Sequence, residues 1–314
     1  MKINEIKKEF PIFKQKIKGK PLIYLDSANS SQKPKVVIDE ISRFYETEFS
    51  NVGRSVHTLA VKATNKFEET RDIVKSYINA KHREEIIFTK GATEAINLVA
   101  NTYGEKFIKA GDEIIVTELE HHSNYVPWHY LREKKGAVIK FASVNDNGEV
   151  DINEFKKQIS DKTKMIAFTH ISNVTGTIMP VKKIIDLAKT KNIPVLIDGT
   201  QGAPHSILDV QDLDCDFYAI SCHKMYGPNG LGILYAKKKW VDELPPYQGG
   251  GGMISEVKKD GISYADSPTK FEAGTMQTAE VVAFAKSIKF IQDLGIKNIE
   301  KHESQILEYG LEKL

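Results

Sequence analysis

The sequence predicts an α/β fold built on a mostly parallel, seven-stranded sheet with helices on both faces. Two observations carry that expectation. Seven short apolar runs, rich in β-branched and aromatic residues, are visible, and five of them stop abruptly at polar residues suited to one ligand. Strands of a covered parallel sheet do this when they deliver side chains to its carboxyl edge. Between the runs lie stretches whose apolar residues recur at helical spacing, so strand and helix alternate along most of the chain.

Taken in order, Pro34 to Phe49 places Val37, Ile41, Phe44 and Tyr45 on one helical face, and Asn65 to Ile78 does the same with Phe67, Val74 and Ile78. Strands are expected at Glu85–Thr89, Glu113–Thr117, Val138–Ala142, Met165–Thr169, Val195–Asp198, Phe217–Ser221 and Gly232–Ala236. Helices such as Ala95–Tyr103 and Lys182–Thr190 separate them. Four glycines, Gly249–Gly252, open a segment expected to be irregular to about Gly274. Two helices, Thr278–Leu294 and Lys297–Leu314, close the chain. The last has no glycine or proline stop signal and no strand after it. The expected division is an N-terminal segment 1–20, a large domain 21–295, and at 296–314 the start of an incomplete, truncated small domain.

Composition narrows the function classes. Of 314 residues, 41% are hydrophobic and 27% charged, ordinary for a soluble globular protein. The 44 basic and 42 acidic residues leave a net charge of +2, which gives no electrostatic case for nucleic acid or anionic membrane. No apolar run approaches the roughly 20 residues of a membrane helix, and the N-terminus has no secretory apolar core. The two cysteines, Cys215 and Cys222, show neither CxxC nor metal-ligand spacing, so no metal site or disulfide framework is expected. A cytoplasmic protein is expected.

The chemistry lies where the apolar runs end. Ile86–Thr89 leads into Lys90-Gly91-Ala92-Thr93-Glu94, a helix start that is either an anion site or an ordinary N-terminal cap. Ile114–Thr117 leads to Glu120-His121-His122-Ser123-Asn124, where an imidazole could stack on a pyridine ring; adjacent histidines rarely face one metal ion. Asn173 could donate to a phenolate or a carboxylate, or serve the turn Asn173–Gly176. Asp198 ends the run Ile193–Ile197, where a buried unpaired carboxylate would be expensive. A protonated pyridinium nitrogen would be its partner, with Gln201 beside the ring oxygen. Phe217–Ser221 then delivers Ser221, His223 and Lys224. A lysine amine beside a carboxylate is what pyridoxal 5'-phosphate requires, the amine for a Schiff base and the acid for the ring nitrogen. Ser221 and His223 are candidate phosphate ligands.

The run Ser221-Cys222-His223-Lys224-Met225-Tyr226-Gly227-Pro228-Asn229-Gly230 resembles the lysine motif of class V, fold-type I pyridoxal-phosphate enzymes. Tyr24–Ala28, Arg54–Leu59, Glu120–Asn124, Thr169–Gly176 and Phe271–Thr275 narrow the resemblance to the SufS-type (group II) cysteine desulfurases, close to selenocysteine lyases. The resemblance implies Lys224 as the covalent cofactor lysine, Asp198 on the ring nitrogen, His121 stacked on the ring as a second catalytic residue, and Asn173 and Gln201 near the phenolate and substrate. It implies Thr93, Ser221 and His223 on the phosphate with backbone from Ala92. Thr275 would reach the phosphate of the other subunit, implying a homodimer. L-cysteine would be the substrate and a SufE/SufU-like protein the sulfur acceptor for iron–sulfur cluster assembly. Three positions depart from the pattern: Cys222 replaces a glycine, Gly53 a histidine and Ala92 a threonine. The persulfide-forming cysteine and a carboxylate-binding arginine would lie beyond Leu314, and neither Cys215 nor Cys222 occupies that position. Two other readings compete: another lyase or aminotransferase of this class, such as one acting on selenocysteine, and a non-catalytic subunit that dimerises or binds sulfur acceptors.

Overall fold

The structure, a computed structural model, describes residues 2–53 and 55–313. Met1 and Leu314, the outer bounds of the expected domains, and Arg54, the first residue of the Arg54–Leu59 segment, lie outside the described residues.

Seven strands form the main sheet: β1 Ile86–Thr89, β2 Glu113–Thr117, β3 Val138–Ala142, β4 Thr163–Thr169, β5 Val195–Asp198, β6 Phe217–Ser221 and β7 Gly232–Ala236. They lie in the order β1-β7-β6-β5-β4-β2-β3. The pairings from β6 across to β3 are parallel, and β7 runs antiparallel to both its neighbours, β1 and β6. The mostly parallel sheet expected from the apolar runs is therefore present, with strand bounds within two residues of those expected. Strands β1, β2, β5, β6 and β7 are buried along their whole length, whereas β3, at the sheet edge, is partly exposed. The two-residue period of a strand divides the core between the two faces. Ile115, Phe168, Ile197 and Tyr218 belong to one cluster, and Ile114, Val116, Leu196 and Phe217 to the other.

The helices that matter for the site are α1 Lys35–Thr47, α2 Thr58–Tyr77, α3 Ala92–Phe107, α4 Thr278–Leu294 and α5 Ile296–Lys313. Helix α4 packs on α1 and α2, as apolar faces at helical spacing require. Helix α2 begins at Thr58 rather than Asn65 because the His57 ring caps it, accepting from Ala60 N at 3.3 Å. Among the described residues, no helix is long and apolar enough to cross a membrane.

One expectation fails. The segment after Gly252 is not irregular throughout: β8 Ile254–Lys258 and β9 Gly261–Tyr264 pair as an antiparallel hairpin closed by Lys259 and Asp260. β8 is exposed but for half-buried Ile254 and β9 is exposed throughout, and its apolar alternation is limited to Ile262 and Tyr264, too short to read as a strand.

Sheet register fixes the geometry of the site. Thr169 on β4 sits opposite Asp198 on β5, Asp198 opposite Ala219 on β6, and Ser221 opposite Gly232 on β7. Two glycines make room at this edge. A Cβ at Gly199 would lie 1.7 Å from the Tyr218 ring, and one at Gly232 would lie 2.4 Å from Gly91 Cα. The turns after β5 and β1 can approach their neighbours only because those side chains are missing.

Candidate active site

Nine of the ten expected site residues, Ala92, Thr93, His121, Asn173, Asp198, Gln201, Ser221, His223 and Lys224, line one cavity of about 180 Å³ at the carboxyl edge of the sheet. An adjoining groove of about 630 Å³ shares Thr93, Ser221 and His223 with it and adds Lys90, Asn229 and Tyr247. Thr275 is not in the cavity. It is exposed and lines a separate depression with Lys90 and Gln277.

Asp198 is 3% exposed, and its Oδ1 accepts from Thr200 N at 3.0 Å. Lys224 ends a short 3₁₀ turn, Cys222–Lys224, directly after β6. Burial lowers the Lys224 pKa, and the Asp198 carboxylate opposes that shift. A neutral amine is thus easier to reach than on an open surface. Enclosure also lowers the His121 pKa, with Asp198 opposing and Lys224 and His122 adding to the shift. The His121 ring is oriented by Ser123, whose Oγ lies 2.7 Å from Nδ1. His223 is lowered first by burial, then by Lys224 and Lys33.

At the other end of the cavity, the first turn of α3 brings backbone N–H groups and the positive end of a 16-residue helix dipole. Ala92 N donates to Ser221 Oγ at 2.9 Å, which ties the helix start to the end of β6. Gln201 lines the cavity, but its Nε2 donates to the Ala28 carbonyl at 2.9 Å rather than into the space. Expected as a ring-oxygen donor, it links the cavity to the N-terminal loop.

Sequence reasoning missed three residues here. Thr200 Oγ1 is buried without a hydrogen-bond partner, and Thr200 lines the cavity. Glu120, quoted with its segment but given no role, backs Thr169, which lines the cavity. Its carboxylate accepts from Thr117 Oγ1, from Asn124 Nδ2 at 2.6 Å and from Thr169 N at 3.0 Å. Burial nevertheless pushes its pKa up to about 8, and Asp198 adds to the rise. Lys33 donates to the carbonyls of Ser31 and His223 at 2.6 and 2.8 Å. Glu120 could have been noticed as a polar residue just past a strand end; Thr200 and Lys33 carry no local signal.

The donor set fits pyridoxal phosphate. A helix start with Thr93, Ser221 and His223 suits an anion, Asp198 suits a protonated ring nitrogen, Lys224 suits an aldehyde, and the unpartnered Thr200 hydroxyl is a polar group left open to a ligand.

Residues 23–314 match the family described as Aminotransferase class-V. The chain belongs to that family. Its relatives include a cysteine desulfurase of Pectobacterium atrosepticum, 45% identical over 313 residues, which cover 99% of this chain and 77% of that protein. A probable cysteine desulfurase of Mycolicibacterium paratuberculosis is 45% identical over 309 residues, and the match spans 45% of that protein's length. Among solved structures, the apo cysteine desulfurase of Thermococcus onnurineus superposes with a TM-score of 0.93 at 35% identity, covering 98% of this chain and 75% of that one. Within the class-V family the chain therefore groups with the cysteine desulfurases, and the seven-stranded fold is theirs.

Proposed function

We propose that the cavity binds pyridoxal 5'-phosphate through Lys224 and removes sulfur from L-cysteine. The observation that carries this reading is the meeting of Lys224, Asp198 and the α3 start around one space, although they come from three separate strand ends. In open α/β sheets that edge is where ligands bind.

When bound, the cofactor supplies the electron sink for bond breaking at the substrate's Cα and Cβ. The protein does the rest. Asp198, with Thr200 N fixing one of its oxygens, would be held ready for the ring nitrogen. Lys224, its pKa lowered by burial, gives up and takes back a proton at Nζ. His121 would cover the ring, Asn173 would stand by the phenolate and substrate, Gln201 would reach them only by leaving the Ala28 carbonyl, and Thr93, Ser221, His223 and the Ala92 backbone would hold the phosphate. Overall, L-cysteine and a thiol give L-alanine and a persulfide. The sulfur leaves Cβ for the attacking thiolate, and protons balance between the two thiols and the alanine. Neither cysteine of this chain fits the attacking role. Cys215 and Cys222 are fully buried, and burial pushes both thiols well up.

The finer parts of the reading rest on the resemblance of the motifs. They are a SufS-type enzyme, a SufE/SufU-like acceptor, service to iron–sulfur cluster assembly in the cytoplasm, and a homodimer in which Thr275 reaches the partner's phosphate. The exposure of Thr275 outside its own cavity supports the last. Residues 21–295 are read as the cofactor-binding domain; α5 lies against it lightly, with Ile299 as its one buried residue among those described and Glu303 paired with His205 at 2.9 Å.

The test is alanine release from L-cysteine by the purified protein with pyridoxal phosphate and dithiothreitol as thiol. Because neither cysteine of the chain fits the attacking role, alanine and sulfide in equal amounts are expected only with dithiothreitol as the attacking thiol, and little or none without it. Alanine from selenocysteine but not from cysteine would overturn the substrate, and no alanine from either would overturn the chemistry.

A further inference from the structure

We infer that Lys33, together with Ser31, is a positioning residue that aims Lys224 by clamping the carbonyl just before it. This rests on the reading of Lys224 as the covalent cofactor lysine.

The His223 carbonyl belongs to the peptide plane that leads into Lys224, so fixing its oxygen fixes where the Lys224 N–Cα bond starts and leaves only φ to set the side chain's direction. Three donors converge on that oxygen: Ser31 N at 3.2 Å, Ser31 Oγ at 2.9 Å and Lys33 Nζ at 2.8 Å. The same short segment grips the turn at two more points. Ser30 Oγ lies 3.1 Å from His223 Nδ1, and Ser31 Oγ accepts from Tyr226 N at 2.9 Å. Tyr226 has φ +60°, a left-handed conformation that a tyrosine adopts only when its surroundings hold it there. The turn carrying Lys224 is thus held from outside by residues roughly 190 positions away.

Lys33 itself shows that the grip is more than a surface contact. Its ammonium is half-buried, with its pKa lowered to about 8 by burial. Among the described residues it forms no ion pair, and its hydrogen bonds go to two backbone carbonyls, of Ser31 and His223. A cation buried to hold a carbonyl next to a reactive lysine costs desolvation that a solvent-facing lysine avoids. The return is orientation. A lysine held near its attacking geometry forms its covalent bond faster, with little change in how tightly the cofactor's other groups are held.

The experiment compares Lys33→Met and Lys33→Arg in the natural chain and in a Lys224→Ala background, with pyridoxal phosphate as the probe. The readouts are the rate of covalent capture, followed by absorbance and trapped with borohydride, and the equilibrium affinity without covalent attachment. Loss of one charge-assisted hydrogen bond should slow capture about tenfold in Lys33→Met, and Lys33→Arg should recover most of it. In the Lys224→Ala background, Lys33→Met should leave cofactor affinity unchanged. Ser31→Ala, which keeps the ammonium, should give the same selective loss at smaller size, and it serves if Lys33→Met does not fold. Equal loss of affinity in both backgrounds would make Lys33 merely structural, and unchanged capture would also overturn the inference. Trapping of the unsubstituted chain at a lysine other than Lys224 would instead overturn the functional reading beneath it.

Discussion

Arg71 and Asp198 are both nearly lost from solvent, at 1% and 3% exposure, yet their surroundings are opposite. Arg71, on α2, donates to both oxygens of Glu272 at 2.8 and 2.9 Å, to the Ile86 carbonyl at 2.7 Å and to Glu68 at 3.0 Å. Glu272 also accepts from Phe88 N at 2.8 Å, and the guanidinium lies 4.6 Å from the Phe88 ring centre. Around Asp198 the polar groups lack protein partners: the Lys224 ammonium makes no hydrogen bond among the described residues, and the buried Thr200 Oγ1 has no partner. A buried charge with every partner supplied holds a structure together, because losing one partner strands the other. A cluster left unsatisfied costs stability and is kept where a ligand completes it. The first region ties α2 to β1 and to the loop before Thr275; the second is the candidate active site.

This contrast can be broken from either side. The largest effect is expected from Lys224→Ala. Cysteine turnover should fall at least about 1,000-fold, while thermal unfolding of the cofactor-free protein stays where it was. A fall in stability with retained turnover would put Lys224 in the wrong region. Arg71→Met should do the reverse. It strands the Glu272 carboxylate and should cost about 3–5 kcal/mol in denaturant unfolding, with little change in cofactor affinity of the folded fraction. Loss of cofactor binding at full stability would show that the pair is not structural.

A third effect depends on pH. Burial lowers the His170 imidazole to about 4, with Tyr218 OH 2.7 Å from its Nδ1. The unfolded chain takes up this proton below about 6.5, which the folded protein refuses until about 4. Stability is therefore fully present above 6.5 and is lost as pH falls toward 4, by about 3 kcal/mol. Glu120, raised to about 8, shifts stability the opposite way over the same range. The measurement is therefore the difference in unfolding free energy between the cofactor-free protein and its His170→Asn variant at pH 7 and pH 4; a difference that does not change with pH would contradict it. The smallest effect belongs to Thr200→Val. Removing an unpartnered buried hydroxyl should leave the cofactor-free protein unchanged or about 1 kcal/mol more stable, while weakening cofactor binding. Destabilisation of the free protein would mean that the hydroxyl already has a partner.

The two regions also differed in how far the sequence disclosed them. Asp198, Ser221, His223 and Lys224 were legible because each sits at or just beyond the end of a short apolar run, and a parallel sheet gathers such ends along one edge. The lysine motif made their chemistry specific. Arg71 and Glu272 were not legible, being 201 positions apart with no pattern joining them. The Lys33 clamp, 190 positions from its carbonyl, was hidden for the same reason. The β8–β9 hairpin escaped notice for another: its only alternation is Ile262 and Tyr264 on β9, too short to read as a strand, and the pair stays exposed. The start of α2 was missed because a histidine caps it, outside the usual capping residues. Sequence pattern reports burial and chain direction well, and long-range polar pairing poorly.

The claim on which the rest depends is that Lys224, opposite Asp198, carries the cofactor. Borohydride reduction of the protein with pyridoxal phosphate, followed by peptide mapping, tests it most directly. The expected result is one labelled peptide, containing Lys224, that disappears in Lys224→Ala. Label at Lys90, in the adjoining groove, or spread over several surface lysines would contradict it.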